Sequence, residues 1–224
     1  MTFSIVARCA QTGMFGTAIS SSSPAVAARC SYAWSGVGAV STQNVTDPRL
    51  GPMALDLMAQ GKSAQEALAE IAASQPHMAY RQVLAVDNTG ESAIFSGPNA
   101  LGIWSEAKVD HAAAAGNLLA APDVPEAILE GFAASSGHLG DRLLAALKAG
   151  LAAGGEAGPV HSAGLLLVDQ VAWPVADLRC DWHEACPIEA LAEAWAVYKP
   201  QLQDYVQRAL DPRAAPSYGV PGDA

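Results

Sequence analysis

Thr2 stands directly after the initiator methionine and can do chemistry that few other positions in this chain offer. A threonine hydroxyl attacks a carbonyl poorly at its ordinary pKa, so it needs a base beside it. The α-amine of the same residue is one such base when that residue heads the chain. An α-amine titrates at roughly pKa 7.7–8.0, so a useful fraction is free base near neutral pH. Methionine before so small a residue is commonly trimmed, and Thr2 is expected to become the first residue without internal cleavage. The plainer alternative is that Thr2 merely opens an edge strand.

Such a nucleophile must be held by strands. From Thr2 to Ala7 small polar and apolar residues alternate, Gln11 to Gly16 supplies the glycines of a turn, and Thr17 to Ser21 returns apolar at every second position. This predicts a hairpin at the very N-terminus, with Ser4 and Ser21 beside Thr2 as candidate substrate contacts. Arg29–Trp34 and Val37–Thr42 read as two more strands around a Ser35-Gly36 turn. Helical spacing follows over Pro48–Gln60 and Ser63–Ser74, where Ser63 and Glu66 form a capping-box signature. Gln82–Val86 and Glu91–Phe95 flank the turn residues Asp87 to Gly90. A strand region over Val109–Leu119, a second helix pair (Val124–Ala134, Leu139–Leu151), strands at Ser162–Asp169 and Val175–Arg179, and one long helix over Ile188–Leu210 complete the reading.

Runs of strands separated by paired helices, without strict strand–helix–strand alternation, point to antiparallel sheets. The fold class is therefore α+β: a four-layer αββα sandwich of two antiparallel sheets covered by helix pairs. Residues 1–210 are expected to form a single domain, with a proline-containing tail over 211–224.

The opening hairpin ending in Ser20 to Ser23 resembles that of proteasome-type subunits. More specifically, the chain resembles the Domain of Unknown Function 1028 family, grouped with the N-terminal-nucleophile hydrolases. The resemblance is carried by Thr2 to Arg8, Pro24 to Ala27, Gly36 to Val40 with Thr42-Gln43, Gly51-Pro52, Arg81-Gln82, Gly116 to Leu118, and Asp177 to Arg179 with Asp181 and His183. It departs from the common pattern at Ser22, Cys180 and Trp182. The resemblance implies the αββα fold, hydrolase ancestry, Thr2 as catalytic residue, and backbone N–H groups near Thr42 and Gln43 facing the oxyanion. Proteasome subunits also set a lysine near the nucleophile. This chain has none before Lys62, so a helping cation must be Arg8, Arg29, Arg81 or Arg179.

Other groupings compete. Asp177, Arg179 and Asp181 alternate, so two carboxylates can flank a guanidinium, either as a structural ion pair or as a substrate clamp, with Ser162 in support. Arg81-Gln82 and Gly116-Asn117 could line the same cleft, since asparagine and glutamine side chains both donate and accept as amide recognition requires, or could simply fix strand ends. Cys180, His183 and Cys186 have a spacing that could surround Zn²⁺, yet a loop packing thiols against a helix start is the preferred reading, so no metal or other cofactor is expected. His77, His111, His138 and His161 lack a partner at any telling spacing.

Composition bounds the partners. With 51% hydrophobic and 15% charged residues the chain suits a globular protein, and its net charge of −10 without any basic cluster disfavours nucleic acid or an anionic membrane. The N-terminus lacks a signal-peptide pattern, and the cytoplasm is the expected compartment, with the four cysteines read as mostly reduced and buried. The favoured reading is hydrolysis of an amide in a small molecule or peptide. The alternative is a catalytically silent binding or assembly subunit, and edge strands with alanine-rich surfaces would suit a homo-oligomer in either case.

Overall fold

Alternation along the first strand decides the layering. The computed structural model describes residues 1–220, and in it β1 (Thr2–Arg8) buries Phe3, Ile5 and Ala7 on one face and Thr2, Ser4 and Val6 on the other. The first set packs under helices, where fully burying Phe3 alone contributes about 1.5–3 kcal/mol. Val6 instead joins a second apolar layer between two sheets.

β1 is central in a six-stranded antiparallel sheet. It pairs with β2 (Phe15–Ser21) and with β8 (Ala112–Asn117); β7 (Ser105–Val109) lies outside β8, while β9 (Ser162–Val168) and β10 (Ala176–Cys180) extend the sheet beyond β2. The second sheet is four-stranded: β3 (Ser31–Trp34), β4 (Gly38–Asn44), β5 (Arg81–Asp87) and β6 (Ser92–Ser96), in chain order.

Helices cover both outer faces. α2 (Leu50–Ala59) and α3 (Ala64–Ser74) pack on the four-stranded sheet through Leu50, Leu55, Leu68 and Ile71. α4 (Val124–Ala134), α5 (Leu139–Ala152) and α6 (Pro187–Tyr198) cover the six-stranded sheet through Ile128, Leu143, Leu147, Leu191 and Trp195. The result is the four-layer αββα sandwich. Ser63 caps α3 as its spacing predicts, with reciprocal bonds to Glu66.

Three expected elements are redrawn. The strand predicted from Arg29 is preceded by a short helix, α1 (Ala27–Cys30), and starts only at Ser31. The region Val109–Leu119 is not one strand: Asp110 and a left-handed His111 (φ 70°) turn the chain between β7 and β8. The long C-terminal helix is broken at Pro200, which cannot donate to the helical ladder, into α6, a 3₁₀ turn (Lys199–Gln201) and α7 (Leu202–Leu210). Past α7 the chain folds back: Arg208 donates to the carbonyls of Pro216 and Ser217, and its guanidinium lies 3.9 Å from the Tyr218 ring centroid. The rest of the predicted tail, 221–224, lies outside the described residues. Among those described, no helix is long and apolar enough to cross a membrane.

Candidate active site

The layer between the sheets is apolar at one end and polar at the other. Val6, Ala113, Ala115, Leu84 and Val86 fill the apolar part. Following the same strand faces toward the start of β1 leads to Thr2, Ser4, Gln43, Gln82 and Asn117, each at most 5% exposed. Burying so many polar groups is costly unless they bond one another. Ser4 Oγ donates to Gln43 Oε1 (2.7 Å), Gln43 Nε2 donates to Gln82 Oε1 (2.7 Å) and to the Ala115 carbonyl (3.1 Å), and Asn117 Nδ2 reaches Gln82 Oε1 (3.4 Å). Gln82 Nε2 passes the chain on to Ser96 Oγ at 3.0 Å. The Asn117 side-chain oxygen is buried without a partner among the described residues, and Asn117 lies directly across the β1–β8 ladder from Thr2.

On the other side of β1, register sets Phe3 against Ser20, which brings Ser21 opposite Thr2. Thr2 Oγ1 lies 3.4 Å from Ser21 Oγ and also contacts the Met1 carbonyl oxygen, to which Ser21 Oγ donates at 2.5 Å. Ser21 Oγ further shares a bond with Ser23 Oγ (2.8 Å), and Ser23 Oγ accepts from the Arg29 guanidinium (2.7 Å). Arg29 is thus the cation that reaches Thr2, through two serine hydroxyls. Its other nitrogen is spent on the carbonyls of Pro24 and Ala25.

Ser162 fixes this corner: its hydroxyl donates to the Ser23 carbonyl (2.6 Å) and accepts from the Val26 N–H (3.2 Å). Gly164, two residues on, lets α1 sit directly on β9, since a Cβ there would stand 2.3 Å from the Ala27 Cβ.

Other predicted residues lie elsewhere. Thr42 shares the strand face of Val40, under the helices, and its hydroxyl reaches the Asp47 carbonyl (3.4 Å). Arg81 likewise shares the face of Val83 and donates to the Val45 carbonyl; its neighbour Gln82 is the one that enters the polar layer. Asp177 and Arg179 form a half-exposed, two-pronged ion pair on edge strand β10, with both bonds at 2.8 Å. Asp181 follows that strand and holds the Ala25 N–H with its backbone carbonyl. His183 Nδ1 accepts from the N–H groups of Ala185 and Cys186, as a turn cap would. Arg8 is at the far end of β1, roughly 20 Å from Thr2 at about 3.3 Å per residue, where it lines a separate cleft of about 360 Å³ with His111, Phe132 and Arg142.

Sequence reading missed Glu156. It lies in the turn between α5 and β9, is 3% exposed, and accepts the Ser22 N–H with both carboxyl oxygens (3.0 and 3.1 Å). Burial pushes its carboxyl up to about 7, against the downward pull of the N-terminal amine, the Ser22 bonds and His161. One signal was available: apart from His161, Glu156 is the single ionisable residue between Lys148 and Asp169, embedded among glycines and alanines.

A family model described as a family of unknown function, DUF1028, matches residues 2–191. The chain belongs to this family. Apart from Met1, every residue placed above, from Thr2 to Cys186 and including Glu156, falls within the DUF1028 match. The crystal structure of a DUF1028 protein from Silicibacter pomeroyi is 28% identical and superposes with a TM-score of 0.83, covering 92% of this chain and 94% of that one. The structure of Anbu (ancestral beta-subunit) from Yersinia bercovieri is 8% identical, with a TM-score of 0.40 over 92% of this chain and 97% of that one. No match was found among curated proteins.

Proposed function

We propose that this DUF1028 protein is an N-terminal-nucleophile amide hydrolase whose nucleophile is Thr2, freed by loss of Met1. The observation that carries the reading is a carbonyl oxygen already held at the nucleophile: Ser21 Oγ donates to the Met1 carbonyl oxygen while Thr2 Oγ1 touches the same atom. A substrate carbonyl seated there would meet both a hydroxyl to attack it and a donor for its oxygen.

The chemistry follows from those positions. Thr2 Oγ1 adds to the carbonyl carbon and passes its proton to the α-amine, while the developing oxyanion accepts from Ser21. The carbon–nitrogen bond then breaks, the leaving amine takes the proton from the ammonium, and an ester on Thr2 remains. Water, deprotonated by the α-amine, adds to that ester and releases the acid and the free hydroxyl. Asn117, opposite Thr2 with an unpartnered side-chain oxygen, is suited to accept an N–H from the substrate. Small molecules or short peptides bearing an amide are the proposed substrates.

Intact-mass measurement of the native protein comes first, because a methionine retained on every molecule would remove the free amine. If Met1 is gone, a threonine-reactive β-lactone should add once per chain, and Thr2→Ala should abolish the adduct. A lactone adduct that persists in Thr2→Ala would overturn the assignment.

A further inference from the structure

The turn after α5 wraps the chain's N-terminus from one side while the end of β2 holds it from the other. Leu119, two residues past Asn117, bridges to Glu156, the Ala157 N–H donates to the Leu118 carbonyl (2.9 Å), and the Ala120 N–H to the Gly155 carbonyl (3.0 Å). Gly158 faces the tip of the Met1 side chain, which would stand 4.0 Å from a Cβ added there. Within this wrap Glu156 is tied to Ser22, next to the Ser21 that touches Thr2.

A buried carboxyl ordinarily has a cation against it or stays protonated. No arginine or lysine side chain pairs with Glu156 among the described residues. The groups that act on it are the N-terminal amine, the Ser22 N–H and hydroxyl, and His161, whose ring stacks on Trp182 at 4.3 Å and whose Nδ1 sits 3.0 Å from the His183 carbonyl. Arg29 stays one serine away, on Ser23. Of the positive groups that act on this carboxylate the N-terminal amine acts more strongly than His161, and the Thr2 nitrogen lies only three bonds from the Met1 amine.

We propose that Glu156 is the third member of a relay in which Thr2 Oγ1 attacks, the Thr2 α-amine takes its proton, and the Glu156 carboxylate orients and neutralises the ammonium that forms. This rests on the reading of Thr2 as nucleophile. It adds what the missing lysine of proteasome-type sites left open: an anion acts on the base, while the cation Arg29 reaches the nucleophile only through Ser23 and Ser21. Glu156 touches neither substrate nor the attacked carbon, so it is a positioning residue, with the part that a carboxylate plays behind the histidine of a serine triad.

The test titrates the N-terminal amine directly, by its rate of acylation across pH or by its ¹⁵N resonance, in the wild type, Glu156→Gln and Glu156→Asp. Removing a neighbouring carboxylate should lower the amine's pKa by about one unit or more, with the aspartate variant between the two. An amine pKa indifferent to Glu156→Gln, in a protein that melts as the wild type does at pH 6, would overturn the proposal. The readout needs no substrate, so the two readings fail separately. A retained Met1 sinks the Thr2 nucleophile even if the amine still answers to Glu156. A free Thr2 whose amine ignores Glu156 sinks only the relay.

Discussion

Ser21 Oγ lies 3.4 Å from Thr2 Oγ1, across the first hairpin of the chain, because the β1–β2 register sets their positions opposite each other on the face between the sheets. In the proposed reaction that hydroxyl is the donor to the oxyanion. Loss of one such donor costs about 10²–10³-fold in rate in a hydrolase. Ser21→Ala should therefore slow β-lactone labelling of Thr2 by about that factor while leaving the melting temperature within a few degrees. Labelling at the wild-type rate would remove Ser21 from the mechanism.

The polar layer beneath Thr2 makes a stability prediction that separates two adjacent residues. Gln82→Leu deprives Gln43 Nε2 and Asn117 Nδ2 of the acceptor they share, and an unsatisfied buried donor costs about 1–3 kcal/mol. Urea unfolding should show a loss of that size. Arg81→Ala, one residue earlier but facing the helix layer, should cost clearly less. Equal losses would mean the network is not the source of the effect.

Asp87 organises the turn after β5. Its carboxylate accepts from the N–H groups of Ala64 (2.9 Å), Thr89 (2.9 Å), Gly90 (3.1 Å) and Glu91 (3.1 Å) and from the Thr89 hydroxyl (2.7 Å). Burial works to raise its pKa, but the bonds from Thr89, Ala64 and Glu91 outweigh it and hold the carboxyl below the ordinary 3.8. A depressed folded-state pKa stabilises above the unfolded value and is lost as pH falls through the folded one. Asp87→Asn should cost about 2–3 kcal/mol near pH 7, and the gap to wild type should narrow on acidification below about pH 4. A gap independent of pH would assign the loss to packing.

Gly164 carries the contact between β9 and α1. Gly164→Ala would force its Cβ against that of Ala27, and overpacking of this kind costs about 1–3 kcal/mol. It should also loosen Ser23 and Val26 from Ser162, so lactone labelling should fall together with the melting temperature. Full labelling in a destabilised variant would show that this corner braces the fold without positioning the site.

Much of the architecture is local and therefore legible in the sequence. The period-two pattern of Thr2 to Ala7, the capping box at Ser63 and the turn at Asp87 to Gly90 each follow from contacts a few residues long. Pro200 shows the limit of that reading, since the apolar face of the C-terminal helix continues through a residue that cannot continue the backbone ladder.

The site divides in the same way. By itself the sequence pointed to Thr2 as a candidate nucleophile, to two antiparallel sheets that would carry it, and to Ser4, Ser21 and Asn117 as candidates around it. Only the tertiary structure decided which candidates meet. Strand alternation turned Gln82 inward and Arg81 outward, an edge strand left Asp177 and Arg179 half exposed, and the turn after α5 set Glu156 beside the chain's start, 154 positions after Thr2 in sequence. The physical reason is that which face a side chain takes, and which distant turn lies against it, are fixed by sheet register and packing across the whole domain, whereas residue type and spacing constrain only the neighbours along the chain.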